Sequence, residues 1–217
     1  MPLGDTALDG DWCATCIAEE PPFDRIHAVV RYTAQSAGIV IRLKYSRRTG
    51  YARLVARQMV RYVPEERVGW LLMPVPLHAS RLRQRGFNQS LLIARQLAGM
   101  TGLPVKAHGL QRHKATRPLK GLNAAQRDRE VRSVFRISSD ARPQIKGRNI
   151  LLVDDVLTTG ATARACARQL KRAGAAEVHI LCWARVVPDR DMLDLSAPDS
   201  DIGLAHLSRP ETKYAQS

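Results

Sequence analysis

Four aliphatic residues run without a break into two carboxylates in the stretch NILLVDDVLTTGATARACARQLKRAG, residues 149–174. This feature constrains the chain more than any other. Ile150, Leu151, Leu152 and Val153 are apolar on both alternating faces, the pattern of a central strand covered on two sides. Asp154 and Asp155 end the run, and neighbouring carboxylates in low dielectric repel one another while each loses its water. Something has to compensate them. Successive strand residues point to opposite faces, so the two aspartates can share one ligand only if the chain has left the sheet by Asp154. DDVLTTGAT is therefore expected to be a loop at the C-terminal end of the strand.

In an open α/β sheet that edge is where ligands bind. Thr158, Thr159, Gly160, Ala161 and Thr162 lead into a helix, so free backbone N–H groups converge there with the positive end of the helix dipole. Gly160 allows close approach, and the threonine hydroxyls add donors without charge. That half suits a phosphate monoester, while paired carboxylates accept hydrogen bonds from a vicinal diol. A ribose 5-phosphate satisfies both halves. The chain contains neither G-x-x-x-x-G-K-S/T nor G-x-G-x-x-G, so the loop is not a Walker A or dinucleotide fingerprint. A capped strand end with a Thr-rich turn accounts for one acid and one threonine, but poorly for the whole string.

The other segments read as alternating strands and helices. HAVVRYT (27–33) has strand character, and SAGIVIRLKY and GYARLVARQMVRYV follow as helices. In the second of these, Tyr51, Leu54, Val55, Met59 and Tyr62 form one face and Arg53, Arg57 and Arg61 another. GWLLMPVPLH (69–78) is a strand stopped by its prolines. Asn88 is placed as N-cap of QSLLIARQLAGM, which Gly102 closes. LPVKAHGL reads as a short strand. EVHILCWARV (177–186) completes a right-handed β-α-β unit with the helix that places Ala163, Cys166, Ala167 and Leu170 on one side. A chain of 217 residues accommodates one full α/β domain with a small appendage. No apolar run approaches the roughly 20 residues of a membrane span, and the N-terminus lacks the pattern of a signal peptide. The expectation is a cytoplasmic protein without membrane insertion.

The net charge of +14 is uneven. Residues 42–61 hold seven basic and no acidic side chains, and residues 110–136 hold eight basic against two acidic. The last thirty residues carry six acids and three bases, so everything before them sums to +17. A polyanionic partner fits this distribution better than a neutral metabolite. Of four cysteines only Cys13 and Cys16 stand at ligand-like spacing, half of the four ligands that a structural zinc needs.

The string LLVDDVLTTGATA closely resembles the phosphoribosyl-diphosphate (PRPP) signature of type I phosphoribosyltransferases. CATC, PPFDRIHAVVRYT, IRLKY, PVPLHASRLRQRGFNQS and TRPLKGLNAAQR resemble, together with it, the ComF/GntX family of DNA-uptake and competence proteins, from about Cys13 to about Arg185. The resemblance implies a type I phosphoribosyltransferase-like α/β fold: a mostly parallel central sheet, flanking helices and a flexible basic hood. Residues 1–22 would be the remnant of a zinc module, 23–187 the phosphoribosyltransferase-like domain and 188–217 a poorly ordered acidic tail. It implies that Asp154 and Asp155 bind ribose hydroxyls and that Thr158 to Thr162 cradle the 5-phosphate. Pro76, His78, Arg81 and Arg85 would face pyrophosphate, with Mg²⁺ held mainly by ligand oxygens.

Catalysis would be displacement at the anomeric carbon, and no catalytic base is evident. Family members commonly join an earlier Cys pair to the pair matching Cys13 and Cys16, so Zn²⁺ is expected only if such a pair lies upstream. In RDREVRSVF the family's usual Asn is replaced by Glu130.

Two functions follow. One is handling of internalised single-stranded DNA in natural transformation, with Arg42, Lys44, Arg47, Arg48, Arg112, Lys114, Arg117 and Lys120 along the phosphates, Tyr45, Tyr51 or Phe87 stacking bases, and a competence helicase as a partner. The other is an active phosphoribosyltransferase of nucleobase salvage or related nucleotide metabolism. The family motifs favour the first.

Overall fold

A computed structural model describes residues 20–45, 50–113 and 134–187. In chain order the elements are β1 (Arg25–Arg31), α1 (Ala34–Tyr45), α2 (Gly50–Met59), a 3-10 turn (Val60–Tyr62), β2 (Trp70–Pro74), α3 (Ala79–Arg85), α4 (Gln89–Thr101), β3 (Leu110–Arg112), β4 (Phe135–Ile137), α5 (Arg142–Ile145), β5 (Asn149–Leu157), α6 (Ala161–Arg172) and β6 (Val178–Arg185). Cys13, Cys16, Arg47, Arg48, Lys114, Arg117 and Lys120 lie outside the described residues, as do the hood motif and the acidic tail. The described residues all fall in one compact unit, Met1–Val187.

The two-sided apolar run of β5 makes it an interior strand. Four parallel strands lie in the order β1-β6-β5-β2. Alternation along β5 divides the core. Ile150 and Leu152 pack with Cys166, Leu170, Ile145 and Phe135 on the face covered by α6 and the small antiparallel β3–β4 pair. Leu151 and Val153 pack with Val40, Leu43, Val55, Met59, Ile93 and Leu97 on the face covered by α1, α2 and α4. The chain is thus a three-layer α/β protein with a parallel central sheet, as the β-α-β pattern implies. Among the described residues no helix is long and apolar enough to cross a membrane.

Several local expectations shift. The buried stripe of α2 runs through Ala52, Val55, Ala56 and Met59, which leaves Leu54 43% exposed rather than in the core. The segment expected to be a strand at LPVKAHGL makes one parallel bridge, Leu72 to Val105, before the chain turns toward β3. Pro104 accepts there through its carbonyl, from Leu72 N–H at 2.9 Å, but has no N–H to extend the ladder. Proline does end β2: Pro74 is its last residue, and Pro76 follows it.

Candidate functional site

β5 does not end at the aspartates. Its pairing with β6 continues as Asp154 to Cys182, Val156 to Ala184 and Leu157 to Arg185, so both carboxylates belong to the strand and the loop shrinks to Thr158–Gly160. The correction has a plain cause. β6 runs on to Arg185 and offers backbone partners that far, which outweighs the polarity of two side chains. Strand alternation therefore applies, and each aspartate meets different neighbours.

What gathers those neighbours is the start of α4. The Asn88 side-chain oxygen accepts from Ser90 N–H at 3.0 Å and Leu91 N–H at 3.4 Å, and its amide donates to the Val75 carbonyl at 3.0 Å. The cap thus pins the first turn of α4 to the chain leaving β2. Gln89 and Ser90, both buried, reach the end of β5 from there. Ser90 Oγ donates to Asp154 Oδ1 at 3.0 Å, and Gln89 Nε2 donates to Asp155 Oδ1 at 3.3 Å. From the last turn of α1, Lys44 Nζ stands 2.8 Å from Asp155 Oδ2.

The two carboxylates are compensated differently. Asp155, 3% exposed, has a cation on one oxygen and an amide on the other. Among the described residues no cation pairs with Asp154, and burial, reinforced by the negative charge of Asp155, pushes its pKa up to about 8. The hydrogen bonds from Asp155 N–H, at 2.9 Å, and from Ser90 oppose that rise without cancelling it. Asp154 therefore tends to hold a proton at neutral pH.

Next to the aspartates, Thr158 and Thr159 are exposed and Gly160 takes φ 75°, the left-handed region that favours glycine. Gly160 is the N-cap of α6 and brings no side chain to its first-turn N–H groups, which Ala161 and Thr162 begin. Arg164 bends back to donate to the Thr159 carbonyl at 3.5 Å. The result is a short turn whose donors, without a partner among the described residues, stand beside two carboxylates, an arrangement able to hold an anion next to hydroxyl groups.

The segment after β2 has a different balance. His78 Nδ1 accepts from Ser80 N–H at 3.2 Å and so caps α3, which occupies that ring nitrogen structurally. Pro76 is half-buried and Arg81 exposed. Arg85 donates to Gln89 Oε1 at 3.2 Å and lies over the Tyr45 ring at 5.2 Å. Arg112 stacks on Phe135 at 5.7 Å, and burial together with the nearby charge of Arg81 lowers its pKa. Arg42 is exposed on α1. Tyr45 is 64% exposed, whereas Tyr51 and Phe87 are half-buried.

Sequence reasoning missed Gln89 and Ser90, and it placed Lys44 on a phosphate-facing surface rather than on Asp155. A signal for the first two existed: an N-cap at Asn88 makes the next two residues a first helical turn, at the same sheet edge as the aspartates. Among the described residues no group of three or more His, Cys, Asp or Glu could hold a metal ion. A surface hollow lies elsewhere, lined by Arg142, Lys146 and Arg172 at the opposite end of β5.

Residues 90–194 match the phosphoribosyl transferase domain family, a span that begins at Ser90 and includes both aspartates and the threonine turn. The chain is 33% identical over 193 residues to the DNA utilization protein YhgH of Salmonella typhi, covering 86% of this chain and 82% of that one. Its counterpart in Escherichia coli (strain K12) is 32% identical over 181 residues, 81% of this chain and 78% of the other. Competence protein F of Haemophilus influenzae is 27% identical over 179 residues, 80% and 78%.

Proposed function

The chain belongs to the family of DNA utilization and competence proteins built on a phosphoribosyl transferase-type domain, and from that premise we propose that it handles internalised single-stranded DNA in natural transformation, with a pocket that takes PRPP or a related ribose 5-phosphate. The observation that carries the pocket is the convergence of Asp154, Asp155 and the Thr158–Thr162 turn at one sheet edge, supported from behind by Gln89 and Ser90.

In this reading Asp154 and Asp155 each accept from one ribose hydroxyl across the end of β5, where strand alternation is no bar because the adjacent Gln89 and Ser90 already reach one carboxylate apiece. The N–H groups and hydroxyls of Thr158 to Thr162 receive the 5-phosphate, where the α6 dipole favours an anion. Arg81, exposed next to Arg112, supplies positive charge for the pyrophosphate, with Pro76 shaping the turn. Arg85 acts through Gln89, which it steadies against Asp155.

The donor set fits magnesium carried in by a ligand. It offers one or two carboxylate oxygens and no closed cage, and Mg²⁺ is commonly held by substrate oxygens, water and a small number of carboxylates. When bound, Mg²⁺ would neutralise pyrophosphate charge and favour its departure from the anomeric carbon. Arg42 and Arg112 supply positive charge for a nucleic-acid backbone.

A second reading is favoured by the intact pocket: an active phosphoribosyltransferase that joins a nucleobase or related acceptor to the ribose as pyrophosphate leaves. Orientation and charge stabilisation, not a protein nucleophile, would then drive the displacement. One pair of measurements tests both readings. PRPP with Mg²⁺ should raise the melting temperature of the protein by several degrees, an effect lost in the Asp154→Asn, Asp155→Asn double variant. A single-stranded oligonucleotide should bind with submicromolar to micromolar affinity at low salt. No thermal shift in the parent refutes the pocket, and no oligonucleotide binding refutes the DNA role. Release of pyrophosphate in the presence of a nucleobase would favour the second reading.

A further inference from the structure

Lys44 sits in a basic run with Arg42, Arg47 and Arg48, but the fold gives it a different role. Val40 and Leu43 anchor α1 in the core on the Asp155 side of the sheet, with Leu43 at 2% exposure, and this holds the last turn of the helix over the end of β5. Lys44 turns inward there, and its ammonium stands 2.8 Å from Asp155 Oδ2. The other oxygen of that carboxylate accepts from Gln89. Both Asp155 oxygens are engaged, so any ligand group that uses this carboxylate has to displace or share with one of the two donors.

Gln89 is poorly suited to yield. It occupies the first position of α4, a turn that Asn88 fastens to the Val75 carbonyl, and Arg85 holds its amide oxygen at 3.2 Å. Lys44 has the opposite character. Its flexible four-carbon stem carries a compact, readily hydrated charge, its side chain keeps 23% of its surface in solvent, and the helix ends one residue later at Tyr45. Of the two donors it is the one able to leave.

We propose that Lys44 is a positioning residue of the ribose-phosphate pocket: in the empty protein its ammonium is the resident counter-cation of Asp155, and a magnesium-loaded phosphoribosyl ligand displaces it into solvent. The inference rests on the pocket reading. Without a cation, the buried Asp155 carboxylate would lie beside a second carboxylate with no counter-charge, a costly arrangement. With Lys44 in place the carboxylate is paired and aimed before the ligand arrives. Competition then lowers the apparent affinity by the fraction of molecules in which the ammonium is off. The pocket favours ligands that bring their own cation over those that do not.

Lys44→Met separates this role from a purely structural ion pair. The variant should melt several degrees lower than the parent when empty, with unchanged far-ultraviolet circular dichroism, yet bind magnesium-loaded PRPP at least fivefold more tightly by titration calorimetry. Lys44→Arg, which keeps the cation, should restore the melting temperature and lose the gain in affinity. Single-stranded oligonucleotide affinity should change by less than twofold.

A measurement on the parent needs no variant. The rate of Lys44 acetylation by an amine reagent, followed by peptide mass spectrometry, should rise at least threefold when magnesium-loaded PRPP is added. An unchanged or weaker PRPP affinity in Lys44→Met overturns the displacement, as does an acetylation rate that stays level or falls. A tenfold loss of oligonucleotide binding at unchanged PRPP affinity assigns Lys44 to the nucleic-acid surface instead. A parent that binds no PRPP removes the pocket reading itself, a result distinct from a parent that binds and a variant that binds alike.

Discussion

Asp154 and Asp155 differ by one position and by almost everything that governs their charge. Because the pKa of Asp154 is raised from 3.8 to about 8, the folded chain holds its proton more tightly than the unfolded chain does. The stability this provides is fully present below about pH 4 and is lost as pH rises through about 8. Thermal unfolding of the ligand-free protein should therefore show a melting temperature that declines between pH 5 and pH 8.5. Asp154→Asn should flatten that decline and stabilise the protein at pH 8.5 by about 1–2 kcal/mol, since the amide mimics the protonated acid without the repulsion.

The same desolvated neighbourhood acts on two thiols. Burial pushes Cys166 well above its usual value and Cys182 to about 12, and the charge of Asp154 adds to both. Neither should react with iodoacetamide in the native protein on a timescale of hours, and both should react within minutes in denaturant; fast native alkylation would contradict their burial. At this scale much was legible. A buried carboxylate pair demanded compensation, and the demand was real. The identities of the compensating groups were not readable, because Lys44 is brought to Asp155 by tertiary packing and nothing in RLKYSRR marks one lysine as inward-facing.

Among the elements, α4 matters most to the site. Its cap performs two tasks at once, satisfying first-turn N–H groups and tying the helix to the Val75 carbonyl. Asn88→Ala should cost about 1–2 kcal/mol in denaturant unfolding and, by loosening Gln89 and Ser90, weaken PRPP binding by a further order of magnitude; equal affinity would show that the cap only stabilises. The helix start at Asn88 and its stop at Gly102 were both readable, because capping chemistry is local. The end of β5 was not. Its length is set by β6, more than twenty residues further along, and a hydrogen-bonding partner at that distance leaves no trace in the local pattern. Leu54 on α2 shows the same limit, since the helical period was right but a shift in the packed stripe moved one leucine outside.

The whole molecule combines a parallel sheet with a charge of +14. If single-stranded DNA binds through this charge, log affinity should fall linearly with log salt, with a slope of about −3 for roughly four neutralised phosphates. A slope near zero would show that charge plays no part. The fold class followed from the alternation of apolar strand runs with helical ones, while the order β1-β6-β5-β2 depends on which edge each crossover reaches.

That order also has a consequence in time. Among the described strands β1 leaves the ribosome first but finds its place only beside β6, which follows all the others. At typical elongation rates the interval is on the order of 10 s. Through that wait β1 has no neighbour in the sheet, and β5, once made, keeps one bare edge until β6 follows. Nascent chains halted before Val178 should accordingly be prey for chaperones and proteases, and the sheet closes only once β6 has been made.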